Sequence, residues 1–236
     1  MKTPAPSAVP RPTLRRQTLV LLPGALCDAA LWRHQIAGLS DIADTRVGDL
    51  TRDDSIGAMA SRVLAGLPPR FALAGLSLGG YVALEIMRRA PERVTRLALL
   101  DTSAKPEAPG EAGVGESARA AMPMTTLLIN PMRLGDRRLT TILAAMADRV
   151  GRKAFLRQQQ AILHRPDSGP DLAAIRCPTL LLCGRQDPLV PPAVQAAMAE
   201  KIKGAQTVVV EDCGHLSPLE RPEAVTKALR EWLSAS

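Results

Sequence analysis

The chain has 236 residues, 46% hydrophobic and 22% charged, which suits one globular domain with a buried core and excludes a chain with the composition of a disordered tail throughout, or of a fibre. No run of 18 apolar residues occurs, so no membrane-spanning helix is expected. The net charge of +7 is uneven: residues 1–16 carry Lys2, Arg11, Arg15 and Arg16 with no acid, and residues 104–176 carry eleven Lys and Arg against seven Asp and Glu. Nucleic-acid binders interleave basic patches with aromatics. Here the aromatics are only Trp32, Phe71, Tyr81, Phe155 and Trp232, so no nucleic-acid partner is expected. Cys27, Cys177, Cys183 and Cys213 form no CxxC pair, and only His215 lies near any of them. That spacing suits neither a disulfide scaffold nor a structural zinc, and points to reduced thiols in a cytoplasm.

Residues 1–16, with four prolines, read as a disordered tail. Arg15-Arg16 precede an apolar run, Leu19–Leu22, that is too short for an export signal and ends at Pro23-Gly24 without a small-residue cleavage site. From residue 17 strands and helices alternate. Strands are expected at Gln17–Leu22, Thr45–Asp49, Phe71–Gly75, Val94–Leu100, Thr179–Cys183 and Thr207–Val210. Between and after them, helices are expected at Leu31–Leu39, Ser55–Leu67, Leu78–Ala90, Pro192–Lys201 and Arg221–Leu233. This is an α/β pattern: a mostly parallel sheet of about six strands with helices on both faces, and active loops at the strands' carboxyl ends. Residues 104–176 interrupt it with helical stretches near Ser117–Asn130, Arg138–Val150 and Lys153–Leu163, too long a segment for an unstructured loop. They read as a helical cap over a core made of 17–103 and 177–236.

Gly75-Leu76-Ser77-Leu78-Gly79 joins an expected strand to an expected helix. In that context a G-x-S-x-G pattern places the serine on a sharp, strained turn at the positive end of the helix. A serine hydroxyl needs a general base. Of the histidines His34, His164 and His215, only His215 lies in a loop after a strand. A carboxylate should orient that base. Asp187, in Gly184-Arg185-Gln186-Asp187-Pro188, follows one strand, and Asp101, after Val94–Leu100, is the competing acid.

The order serine, aspartate, histidine, each after a separate strand, resembles the α/β-hydrolase superfamily, of the capped serine esterase type. GLSLGG at 75–80, GRQDPLVPP at 184–192 and CGHLSPLERPEAV at 213–225 carry the resemblance, which covers about residues 17–236. It implies Ser77 as nucleophile, Asp187 as orienting acid, His215 as base, and no metal or cofactor. It also implies an oxyanion hole of two backbone N–H groups, one from Leu78 and one from the loop Pro23-Gly24-Ala25-Leu26-Cys27. Pro23-Gly24 stands where much of the family has His-Gly, so the second donor would be Ala25, with Leu26 as second choice.

The pocket is expected to be lined near Leu26, Leu189 and Leu216, with aliphatic cap residues such as Met122, Met124, Leu127, Leu128, Met132, Leu143 and Met146 as core or lining. A serine nucleophile and few tryptophans separate the chain from dehalogenase and epoxide-hydrolase relatives. The expected reaction is hydrolysis of a small-molecule carboxylic ester with a small or medium apolar acyl group. Carbon–carbon bond hydrolysis, lactone opening, perhydrolysis and acyl transfer on the same three residues are alternatives, as is a non-catalytic ligand-binding member of the fold. The chain is also similar to esterases that act on acyl methyl esters of an acidic carrier protein. Arg133, Arg137, Arg138, Arg149, Arg152, Lys153 and Arg157 could dock an acidic acyl carrier protein at the cap.

Overall fold

The computed structural model describes residues 16–106 and 124–235. Apart from Arg16, the expected tail lies outside them, as do Met122 and the first part of the helix expected from Ser117. Six strands, β1 (Gln17–Leu22), β2 (Ala43–Val47), β3 (Phe71–Leu76), β4 (Val94–Leu100), β5 (Thr179–Gly184) and β6 (Gln206–Val210), form one sheet in the order β2-β1-β3-β4-β5-β6. Every neighbouring pair is parallel. β3 and β5 are buried along their whole length, which is why they read as unbroken apolar runs.

Successive side chains of a strand point to opposite faces, and the core divides accordingly. Leu19, Leu21, Ala72, Ala74, Leu180 and Leu182 pack on one face with Trp32 and Trp232. Val20, Leu22, Leu73, Leu97, Leu99 and Leu181 pack on the other. α1 (Arg33–Gly38) and α8 (Pro222–Ser234) cover the first face; α2 (Ile56–Ala65), α3 (Leu78–Arg89) and α6 (Pro192–Ala199) cover the second. The short helix α7 (Ser217–Glu220) leads into α8.

Two boundaries differ from the sequence reading. β2 lies at Ala43–Val47 rather than Thr45–Asp49, because at this sheet edge only Ala43 is buried and no apolar pattern marks the register. Between β4 and β5, after α4 (Met124–Leu128), the two helices expected at Arg138–Val150 and Lys153–Leu163 run on as α5 (Arg137–Leu163), broken at Gly151 by its φ of 73°. No helix among the described residues is long and apolar enough to cross a membrane.

The tightest packing is where α3 meets the sheet. A Cβ added at Gly79 would lie 2.2 Å from the carbonyl oxygen of Leu22, a backbone atom that cannot swing aside. Gly79→Ala should therefore force α3 off β1 and cost about 1–3 kcal/mol or more, read as a lower midpoint in urea unfolding.

Candidate active site

Ser77 ends β3 and caps α3 with φ 52° and ψ −117°, a conformation that costs a non-glycine residue about 1–3 kcal/mol. Hydrogen bonds hold it. The Ser77 N–H donates to Leu100 O at 3.0 Å, and its carbonyl accepts from Thr102 Oγ1 at 2.8 Å and from Gly80 N–H at 2.8 Å. The ladder is extended past the next strands too: Asp101 N–H donates to Leu182 O, and Arg185 N–H to Val210 O, each at 2.8 Å. Parallel pairing thus continues one residue past each of these strands and fixes where the loops leave the sheet.

Asp187 and His215, at the ends of β5 and β6, are both buried. His215 Nδ1 lies 2.8 Å from Asp187 Oδ2. The other oxygen, Oδ1, accepts the N–H groups of Leu189 (2.8 Å) and Val190 (3.0 Å). The carboxylate is thus locked at both oxygens, and the ring's Nε2 makes no hydrogen bond to another described residue. The two loops are laced as well: Gln186 N–H donates to Cys213 O, and Cys213 N–H to Gln186 Oε1.

The competing acid, Asp101, has a different partner. It is fully buried with φ 45°; Oδ1 accepts Gly184 N–H at 2.9 Å, and Ser217 Oγ donates to Oδ2 at 2.5 Å. Burial, then the nearby Asp187 charge, hold its carboxyl well above the ordinary range. A third buried carboxylate, Glu220, accepts Gly214 N–H (3.0 Å) and Asn130 N–H (2.9 Å) and so braces the loop of His215 against the segment after α4. The sequence reading did not single out Glu220, Thr102 or Ser217. The only signal for Glu220 was an acid ending an otherwise uncharged stretch.

The structure pairs Asp187 with His215; between His215 and the half-buried Ser77 it records no hydrogen bond. Catalytic hydrogen bonds are often long without substrate and tighten in the complex. The loop after β1 lies against the serine: a Cβ on Gly24 would sit 3.5 Å from Ser77 Cβ. In that loop the Leu26 N–H is taken by Gln158 Oε1 at 3.1 Å. The N–H groups of Ala25 and Leu78 have no acceptor among the described residues.

Of the expected lining residues, Leu26 and Leu189 are half-buried. Leu216 is 1% exposed and packs in the core cluster that holds Leu31 and Trp32, and its N–H donates to Leu128 O at 3.0 Å. Met146 and Leu143 are core residues, whereas Met132 is exposed to solvent. Cys27 and Cys213 are buried thiols, both pushed up by burial, Cys27 to about 12, so neither is a thiolate beside the serine.

Residues 19–228 match the model of the alpha/beta hydrolase family. The chain belongs to this family. It is 28% identical over 241 residues to a pimeloyl-[acyl-carrier protein] methyl ester esterase of Vibrio campbellii, covering 91% of this chain and 93% of that one. To the protein of the same name in Aromatoleum aromaticum it is 31% identical over 197 residues, covering 75% and 79%. A solved thermophilic esterase from Thermogutta terrifontis superposes with a TM-score of 0.79 at 31% identity, covering 92% of this chain and 89% of that one.

In this hydrolase the charge around His215 also sets a linkage. Burial lowers an imidazole's pKa, but Asp187, by its charge and hydrogen bond, and then Asp101 and Glu220 outweigh it, so that of His215 lies above its ordinary 6.5. The folded state therefore binds this proton more tightly than the unfolded chain. The resulting stability is complete below the unfolded value and is lost as pH rises through the folded one. The unfolding free energy of the native protein minus that of His215→Gln should be largest below about pH 6 and shrink in alkali, measured by urea titration across pH.

Proposed function

We propose that this hydrolase cleaves a carboxylic ester of a small or medium apolar acyl group through an acyl-enzyme on Ser77. The chain is an enzyme acting on ester bonds; the named esterases it resembles support that class. The observation that carries the residue assignment is the buried Asp187–His215 bond of 2.8 Å, with Ser77 held in a strained turn two strands away in the same sheet. His215 Nε2 takes the proton of the Ser77 hydroxyl, and Oγ attacks the ester carbonyl. The oxyanion is held by the N–H groups of Leu78 and Ala25. His215 then gives its proton to the leaving alcohol oxygen as that bond breaks. A water molecule, deprotonated by the same ring, attacks the acyl-enzyme and releases the acid. His215 must start neutral, so the carboxylates that raise its pKa also tune where turnover begins.

The names of the relatives mention an acyl carrier protein, and the surface between β4 and β5, read as a cap, suits an acidic partner of that kind. Arg133 is bonded to Asp136 and Glu220 O, Arg149 to Asp28 and Arg157 to Thr51 O. Arg137, Arg138, Arg152 and Lys153 are exposed and form no ion pair with a described residue. Free guanidinium groups steer and register an acidic surface. The free thiols of all four cysteines suit a reducing cytoplasm.

A fluorophosphonate probe should label Ser77, located by peptide mass, and Ser77→Ala should lower ester turnover by about 10⁴–10⁶-fold. Label on another residue would overturn the assignment. Substituting Arg137, Arg138 and Arg152 together by Gln should weaken turnover of an acyl ester presented on a carrier protein while p-nitrophenyl ester turnover is unchanged. Equal losses on both substrates would remove the docking surface.

A further inference from the structure

Gln158 is fully buried in the second half of α5, although the chemistry proposed for Ser77 and His215 does not require an amide there. Its side chain joins two loops. Oε1 accepts Leu26 N–H at 3.1 Å, and Nε2 donates to Leu50 O at 3.2 Å. The orientation of the amide is forced, since a backbone N–H needs an acceptor and a carbonyl needs a donor. Leu26 follows β1 and Leu50 follows β2, so one residue ties the loops of two adjacent strands to the helix. Its neighbours strengthen the tie: Arg157 donates twice to Thr51 O, and Arg149 forks the carboxylate of Asp28.

The Leu26 bond falls at a strained point. Leu26 has φ 59°, a left-handed conformation that persists only where surrounding contacts over-determine it. Leu26 is the third residue of a turn closed by Cys27 N–H on Gly24 O at 3.2 Å; Gly24 lies against Ser77, and the Ala25 N–H has no acceptor among the described residues. If Leu26 relaxed to an ordinary φ, that turn would open, the Ala25–Leu26 peptide would rotate, and the two adjacent N–H groups would compete to face the serine. Resting on the acyl-enzyme reading above, we propose that Gln158 is a positioning residue of the oxyanion hole: by occupying Leu26 N–H it presents Ala25 N–H to the substrate's carbonyl oxygen.

The test uses the full chain, a p-nitrophenyl ester of a short acyl group, and a trifluoromethyl ketone with the same acyl group, whose adduct with a serine carries an oxyanion. Gln158→Leu should lower kcat by about 10–100-fold with KM changed less than about threefold, and should weaken ketone binding in parallel. A purely structural glutamine would change the unfolding midpoint and leave the kinetics of the folded enzyme alone. Gln158→Glu gives a second reading. A protonated glutamic acid can accept and donate as the amide does, whereas the carboxylate cannot donate to Leu50 O. Its kcat relative to the native enzyme at the same pH should therefore recover as pH falls from about 9 to about 6. If Gln158→Leu does not fold, this ratio decides alone. Native kcat and ketone affinity in Gln158→Leu, a loss confined to KM, or a ratio independent of pH would overturn the assignment. Retained turnover in Ser77→Ala would remove the underlying reading instead, so the two failures are distinguishable.

Discussion

The hydrogen bond between His215 Nδ1 and Asp187 Oδ2 is the interaction on which the rest of the site depends. Both groups are almost fully removed from water. An isolated buried carboxylate costs several kcal/mol or neutralises itself. Asp187 escapes this because its second oxygen is bonded to two consecutive N–H groups supplied by the turn it stands in. That turn exists because Pro188 and the residues after it leave the sheet at the end of β5, so the strand's termination creates the acid's binding site. The imidazole is thereby fixed in tautomer and in plane, with the proton on Nδ1 and Nε2 as acceptor.

Asp101 and Glu220 are buried near the same ring, and a cluster of three full negative charges would be hard to hold. The fold divides their tasks. Asp101, held above the ordinary range first by burial and then by the Asp187 charge, cross-links the loops before Asp187 and after His215 through Gly184 and Ser217. Glu220 is raised by burial, against the pull of the Asn130 and Gly214 N–H groups and of Arg133. Both carboxyls brace the loops around the ring through their hydrogen bonds, and of the three Asp187 is the one bonded to His215.

The strand ends that carry Ser77, Asp187 and His215 were legible in the sequence because a parallel sheet converts a strand's end into a position in space. Once β3, β5 and β6 are recognised as branched or apolar runs, the residues just past them share one edge. Asp187 and Asp101 both satisfy that rule; the sequence reading took Asp187 for the motif GRQDPLVPP around it, and in the structure Asp187 is the one bonded to His215. β2 was misplaced because an edge strand with one buried residue has no period to read. The inward packing of Leu216 could not be read from the apolar residues after His215, because its cluster partners, such as Leu31 and Trp32, come from distant segments. Gln158 was invisible for a similar reason: its partner Leu26 is 132 residues away, and a glutamine in a helix otherwise reads as solvated.

α5 therefore has two unlike faces. Outward, Arg152 and Lys153 meet solvent beside Gly151, where the helix breaks. Inward, Arg149, Arg157 and Gln158 bond to the loops after β1 and β2. The break separates Arg149 from the other two, so the inward contacts lie on both sides of it. A rigid swing of the whole helix away from the sheet would break all of them together and release Leu26 from its strained φ. A displacement confined to the first part could bend at Gly151 and spare Arg157 and Gln158, but besides the exposed Arg149–Asp28 pair, worth about 0–1 kcal/mol at the surface, it would pull Leu139, Leu143 and Met146 out of the core. Apolar packing thus anchors the first part of α5, while hydrogen bonds to the loops after β1 and β2 anchor the second.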